Sequence, residues 1–208
     1  RQGEEEAGEG GGAAGTRIIG VAHGLDAEED RPHRPATADA GATAVPAQSR
    51  HQKNSYASET PVTDGERVYV YLGHLGLFAF DLQGTLQWSQ PMRAFEMQTG
   101  LGTAKSPVLD DESVYIVNDN EEQSFIAAYD KRTGAERWRV DRPDKTNWTT
   151  PYVWKNERRT EIVTSSNSGV RSYGVDGKLL WHLTGMSTFS VASPFAAKGL
   201  LYFTSGYP

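Results

Sequence analysis

The 208-residue sequence contains no cysteine. Disulfide staples, thiol nucleophiles, cysteine-type zinc sites and iron–sulfur ligation are excluded together. Long apolar runs are missing too. The stretch Gly199-Leu200-Leu201-Tyr202-Phe203 falls far short of the ~20 residues that span a bilayer as a helix, so no transmembrane segment is expected. Basic charge is not in excess: 6 basic residues face 9 acidic ones up to position 55, and 15 face 18 afterwards. Nucleic acid and anionic membranes are not expected partners. Aromatic residues are absent from the first 55 positions, although the chain holds 5 Trp, 9 Tyr and 7 Phe beyond them. Only the second part is able to build a core.

Residues 1–55 read as a low-complexity, Gly/Ala-rich tail or linker. Residues 1–50 contain 9 Gly and 11 Ala, and their only compact apolar group is Ile18-Ile19 with Val21 and Leu25. So few large side chains do not offset an ordering cost of ~1 to 2 kcal/mol per residue. A natural linker, appended sequence or out-of-frame translation all fit, and disorder is expected. The chain begins at Arg1 without the succession of a signal peptide, so the native start is expected to lie elsewhere.

The rest repeats. Thr60-Pro61, Ser106-Pro107, Thr150-Pro151 and Ser193-Pro194 recur with proline spacings of 46, 44 and 43, and Trp88, Trp138 and Trp181 recur at 50 and 43. Between each proline and tryptophan lie two apolar strands and a tight turn, at Gln83-Gly84, Thr133-Gly134 and Asp176-Gly177. Glycine there accepts the positive φ of a hairpin turn. Four short strands per unit of about 45 residues, with no helical period, predict a β-propeller. Val68-Tyr69-Val70-Tyr71-Leu72 and Val114-Tyr115-Ile116-Val117 are apolar at consecutive positions, so both faces must be covered. Blades stacked face to face do that, whereas a sandwich would impose alternation. The recurring Trp is expected to plug neighbouring blades, its indole N–H on a backbone acceptor.

These residues carry a resemblance. Thr-Pro-Val, then Val-Tyr-Val, then Ala-Tyr-Asp-Lys-Arg-Thr-Gly with Trp138 four residues past Gly134, is similar to the pyrroloquinoline quinone (PQQ) repeat of the quinoprotein alcohol dehydrogenase-like β-propeller family. Ser106 to Trp138 is the best copy, and coverage runs from about Tyr56 to Pro208. The resemblance implies an all-β fold: three blades over 56–90, 103–142 and 147–183, and a half blade over 189–208. That is less than half of a seven- or eight-bladed ring, a fragment expected to be poorly stable and prone to self-association.

The loops from second to third strand and from blade to blade should share one face, where propellers commonly bind. His74, Arg93, Asn118, Asp119, Lys145, Trp148 and Asn167 are the candidates to converge there. Bland readings compete for each. His74, between two glycines and with no Ser or Asp partner, reads as a surface histidine. Asn118-Asp119-Asn120-Glu121-Glu122 is oxygen-rich but lacks EF-hand spacing, so a solvated loop is expected rather than a metal site. Asp81, Asp130 and Asp176 precede the glycine turns and read as turn caps. Trp148 reads as blade-edge packing before a stacking platform. His51 with Lys53 reads as a solvated segment. Asn147-Trp148-Thr149 fits the N-glycosylation pattern weakly. Phosphate loops, zinc-type His pairs and nucleophile elbows do not occur.

By function, the resemblance implies a non-catalytic PQQ-binding-like propeller, a binding or scaffolding module of the bacterial envelope, periplasmic or extracellular. Its partner would be a protein or small molecule on the loop face, besides the remaining blades. The alternative is a fragment of a PQQ- and calcium-dependent alcohol or sugar dehydrogenase, a reading weakened by the missing cysteine pair of that branch. A third possibility joins the propeller to an effector domain through residues 1–55. No cofactor is evident from the residues themselves.

Overall fold

The computed structural model describes His51, residues 56–187 and residues 190–206. The tail reading for residues 1–55 therefore lies, His51 apart, outside the described residues. Among the described residues the architecture is all-β, with one 3₁₀ turn at Gln98–Gly100.

Strands β1 (Val62–Thr63), β2 (Arg67–Leu72), β3 (Gly76–Asp81) and β4 (Leu86–Pro91) form the first antiparallel sheet, in that order. Strands β5 (Val108–Leu109), β6 (Ser113–Asn118), β7 (Ser124–Asp130) and β8 (Glu136–Arg142) form the second. The third holds β9 (Tyr152–Lys155), β10 (Thr160–Ser166), β11 (Gly169–Gly174) and β12 (Leu179–Leu183), and β13 (Phe195–Ala197) pairs with β14 (Leu200–Tyr202) in the last. Three four-stranded blades and a two-stranded unit make this a partial β-propeller.

The period of two explains the packing. Tyr69 and Tyr71 of β2 face the second blade and join Trp88, Val114, Ile116 and Phe125 in one buried cluster. Val70 and Leu72, one residue on, pack with Phe80 on the opposite face. In the second blade Val114 and Ile116 face backwards, while Tyr115 and Val117 face forwards onto Ile162 and Tyr173. Each blade thus buries both faces, as the consecutive apolar positions require. Exposed large apolar residues concentrate later in the chain, at Leu179, Leu183, Val191, Phe195 and Leu200.

The tryptophans join blades at the turn end. Trp88 sits opposite Ala79, and Trp138 opposite Ala128, each beside a bulge in the register. Trp88 Nε1 donates to the Lys131 carbonyl at 3.1 Å, and Trp138 Nε1 to the Val175 carbonyl at 2.7 Å, each on the following blade. Each ring lies on the turn glycine of that blade: a Cβ on Gly134 would meet Trp88 at 2.6 Å, and one on Gly177 would meet Trp138 at 2.8 Å. Both glycines have positive φ, 75° and 84°, so they serve conformation and contact at once. Gly84, with φ 83°, serves conformation alone, since a Cβ there would meet nothing within 4 Å.

The third blade departs from the expectation. Trp181 Nε1 donates to Glu161 Oε2 at 2.8 Å within its own sheet, instead of to a carbonyl of the next. Glu161, which also receives Ser172, Asn156 and Arg159, has no counterpart in the first two blades. There a Tyr–Asp pair stands instead, Tyr69 donating to Asp64 and Tyr115 to Asp110 at 2.9 and 2.8 Å.

The turn caps behave as expected with one change of position. Asp81 accepts from the backbone N–H groups of Gln83 and Thr85, and Asp130 from those of Arg132 and Thr133. Gly174 takes the corresponding place in the third blade, and Asp176 caps Lys178 from inside the turn.

The residues before Pro61, Pro107 and Pro151 explain the Thr/Ser-Pro signal. Thr60 N–H donates to Ser106 Oγ at 2.8 Å, and Ser106 N–H to Thr150 Oγ1 at 3.1 Å. The hydroxyl of each blade receives the backbone of the one before it. The first strands of successive blades also approach each other, β5 with β9 and β9 with β13, which places this chain on the inner side of the arc. Pro194 begins the fourth copy, one residue before β13.

Candidate functional site at the loop end

The strand order sends the β2–β3, β6–β7 and β10–β11 loops and the blade-to-blade linkers to the same end. What gathers there is a buried group of five charges. Asp119, at the end of β6, is 1% exposed, and its carboxylate receives Lys105 Nζ at 2.5 Å, Arg142 Nε at 2.7 Å and Asn147 Nδ2 at 2.8 Å. Arg142, the last residue of β8, spans to Asp144 at 2.7 Å and donates onward to Thr164 and Tyr173 at 2.8 and 3.0 Å. Asp144 in turn holds Arg171 of β11, both oxygens at 2.8 Å, and accepts the hydroxyls of Ser166 and Ser168. The network runs from the linker before the second blade into the third blade.

Electrostatics follow from burial and pairing. Burial alone would raise the Asp119 carboxyl, yet Arg142 and Lys105 hold it down at about 2. Burial lowers the Lys105 ammonium to about 8 against the pull of Asp119. Arg142 is raised above its ordinary value because its two carboxylates outweigh burial.

The sequence-derived candidates divide. Arg93, Asn118 and Lys145 meet around the β6–β7 loop. Arg93 pairs with Glu122 at 2.7 Å and lies 4.1 Å from the Phe95 ring centre, while Lys145 donates to the Glu121 carbonyl at 2.7 Å. Asn118 is buried and donates to the Tyr71 hydroxyl at 2.8 Å. Trp148 Nε1 donates to the Gly102 carbonyl at 3.0 Å and ties two linkers together. His74 and Asn167 stand apart on the loops of the first and third blades.

Two expectations are corrected. His74 is not a surface residue: it is 6% exposed, its ring tilted against that of Tyr56 at 5.3 Å, and burial lowers its imidazole pKa. Asn118, Asp119 and Asn120 are not a solvated loop: all are buried, because the linkers on either side of the second blade fold over them. Asn120 donates to Asn118 Oδ1 and accepts from the N–H groups of Glu122 and Gln123. The glycosylation pattern fails for a similar reason, since the Asn147 amide is buried and donates to Asp119 and to the Lys145 carbonyl.

These contacts test the calcium that the resemblance implies. Ca²⁺ needs six to eight oxygens with free lone pairs. Asp119 spends its oxygens on a lysine, an arginine and an amide, Asp144 on two arginines and two serines, and the surrounding charge is positive. This oxygen-rich set does not fit a calcium ion.

Lys105, Arg142, Asp144 and Arg171 escaped the sequence reading. A signal was available in Arg171, a charge between Val170 and Tyr173 in a strand covered on both faces, since such a residue must be paired.

The comparisons agree with the fold. The family model described as outer membrane protein assembly factor BamB matches residues 42–138, just under half of the chain. Among solved structures, BamB from Moraxella catarrhalis superposes with a TM-score of 0.51 at 16% identity, over 70% of this chain and 40% of that one. The chain is built of PQQ-type β-propeller repeats. Looser likenesses of the propeller are a europium-containing methanol dehydrogenase (TM-score 0.46, 17% identity, 61% of this chain and 24% of that one) and the quinohemoprotein alcohol dehydrogenase from Comamonas testosteroni (TM-score 0.44, 16% identity, 73% and 33%). The propeller arc thus spans at most 40% of the length of these three proteins. None of the curated proteins matches it. Among the described residues, no helix is long and apolar enough to cross a membrane.

Proposed function

We propose that the protein is a non-catalytic PQQ-binding-like propeller that binds or scaffolds another protein with its loop end, in the bacterial envelope. The observation that supports this reading is the match of residues 42–138 to the BamB family model, whose description is assembly of outer membrane proteins. The chemistry of the loop end agrees. Its buried charges are spent on one another as a clasp between blades, and what remains outward is a rim of exposed polar groups such as Arg93 and Lys145. A rim of that kind suits a protein surface.

The test has two arms. A photo-crosslinking residue replaces Arg93 or Lys145 at the loop end, or Gln83 at the turn end, in the tagged protein in its native host. Discrete protein adducts in the envelope fraction from the loop-end positions, and none from Gln83, are expected. The purified protein is also titrated with PQQ and Ca²⁺ in the presence of an alcohol and an electron-accepting dye. No cofactor binding and no dye reduction are expected. Saturable PQQ binding with dye reduction would overturn the proposal in favour of a dehydrogenase fragment.

A further inference from the structure

Adjacent blades of this arc are joined in three recurring ways: a hub N–H on the next blade's hydroxyl, an indole N–H on its carbonyl, and a lysine of that blade on an aspartate. All three occur between the first and second blades and again between the second and third. Among the described residues none of them crosses from the third blade to the β13–β14 pair. Ser193, the next hub hydroxyl, is exposed and receives no N–H there. The Trp181 indole turns back to Glu161 of its own sheet. The linker that follows the third blade is held through Ser190 by two bonds of 3.3 Å, one from Trp148 N–H and one to the Ser166 carbonyl.

The face turned to this joint also differs. At register-matched positions the first blade presents Tyr69, Tyr71, Leu77 and Ala79 to its neighbour, and the second Tyr115, Val117, Ile126 and Ala128. The third presents Val163, Ser165, Val170 and Ser172. Val163 and Val170 are buried yet join none of the buried apolar clusters of the described residues. Six buried side-chain atoms of the described residues have no hydrogen-bond partner, and four of them lie at the third blade's loop end or on the linker after it: Thr149 Oγ1, Ser165 Oγ, Asn167 Oδ1 and Ser187 Oγ. A closed seam keeps these groups from water without a partner, and parting it returns them to solvent at little apolar cost.

We infer that the arc opens at this seam: β13 and β14 swing as one unit away from the face of Val163, Ser165 and Ser172, while the first three blades move as a single body. Gly185 supplies the pivot's freedom, since it holds φ 101° with nothing within 4 Å of a Cβ. The two strands keep their own pairing during the motion, Phe195 with Tyr202 and Ala197 with Leu200. The inference does not rest on the role proposed for the loop end.

The sequence has no cysteine, so introduced pairs take nitroxide labels at chosen sites alone. Arg158→Cys with Ala197→Cys reports the seam, and Arg132→Cys with Arg158→Cys reports the joint between the second and third blades, all at exposed positions. Pulsed dipolar spectroscopy on the full chain should give two distances across the seam and one narrow distance across the other joint. Ser165→Val sets at this face the residue that its counterpart Val117 provides and removes an unpartnered hydroxyl. It should reduce the open fraction about fivefold. Hydrogen exchange separates swinging from fraying, since the paired β13–β14 amides should exchange more slowly than a random coil. A single narrow seam distance, equal breadth at both joints, or β13–β14 amides exchanging at random-coil rates would each overturn the inference.

Discussion

The two ends of the arc join the same blades by different means. At the turn end the links are repeated from blade to blade: an indole on a glycine, its N–H on a carbonyl, and an ion pair, Lys131 with Asp64 and Lys155 with Asp111. At the loop end the link is a single network of five charges out of water, with no copy elsewhere among the described residues. The contrast teaches that a repeat fixes spacing with cheap, interchangeable contacts. Individuality is confined to the end where the strands hand over to long connections.

Breaking one charge at each end tests this most severely. Arg142→Met leaves Asp119 and Asp144 partly uncompensated in the interior and should lower the unfolding free energy by about 3–5 kcal/mol, read from urea denaturation. Arg137→Met removes two contacts of similar length, to Glu112 and Asp130, but at a third exposed. It should cost less than about 1 kcal/mol, because water screens the pairs. Equal losses would erase the distinction between the ends.

The glycine turns sharpen it further. Gly134→Ala and Gly84→Ala impose the same positive-φ strain, about 1–2 kcal/mol. Only the first also drives a methyl into the Trp88 ring, so its loss of stability should exceed that of Gly84→Ala by about 1 kcal/mol or more in the same assay. Indistinguishable variants would mean that the Trp–Gly contact contributes nothing.

The smallest expected effect is the pH response of two buried loop-end groups, His74 and Glu59. Burial lowers the His74 pKa, so the unfolded chain takes up a proton first as pH falls through about 6.5, and stability drops below that point. Burial raises the Glu59 pKa, so the folded chain keeps its proton longer, and stability is lost as pH rises from 4.5 through the folded value. His74→Leu should flatten the first limb and Glu59→Gln the second in Tm measured from pH 4 to 8. Profiles unchanged by both substitutions would remove these residues from the account.

How much was legible follows the same division. Pro61, Pro107 and Pro151 with Trp88 and Trp138 announced the blades because each does one job at one spacing, and Gly84, Gly134 and Gly177 marked the turns. Trp181 carried the spacing but not the contact, since its acceptor became a glutamate of its own sheet. The loop end was not readable because its members occur once and pair across 14 to 27 residues, as Lys105 with Asp119 and Asp144 with Arg171 do. His74 misled for a local reason: two flanking glycines suggest an open loop, while the ring of Tyr56 closes over it.

The hydroxyls of Ser106 and Thr150 have a consequence for how such arcs diverge. The bonds they accept, 2.8 and 3.1 Å, are nearly alike, although the packing beside them differs: three tyrosines, a phenylalanine and a tryptophan among the buried residues between the first pair of blades, mostly aliphatics with Tyr115 and Tyr173 between the second. A ruler of one bond per step at the hub holds the pitch while the filling between spokes is free to drift. Replacing serine by threonine at the hub preserves that ruler, whereas alanine removes a graduation and leaves the angle of the next spoke to side-chain bulk alone.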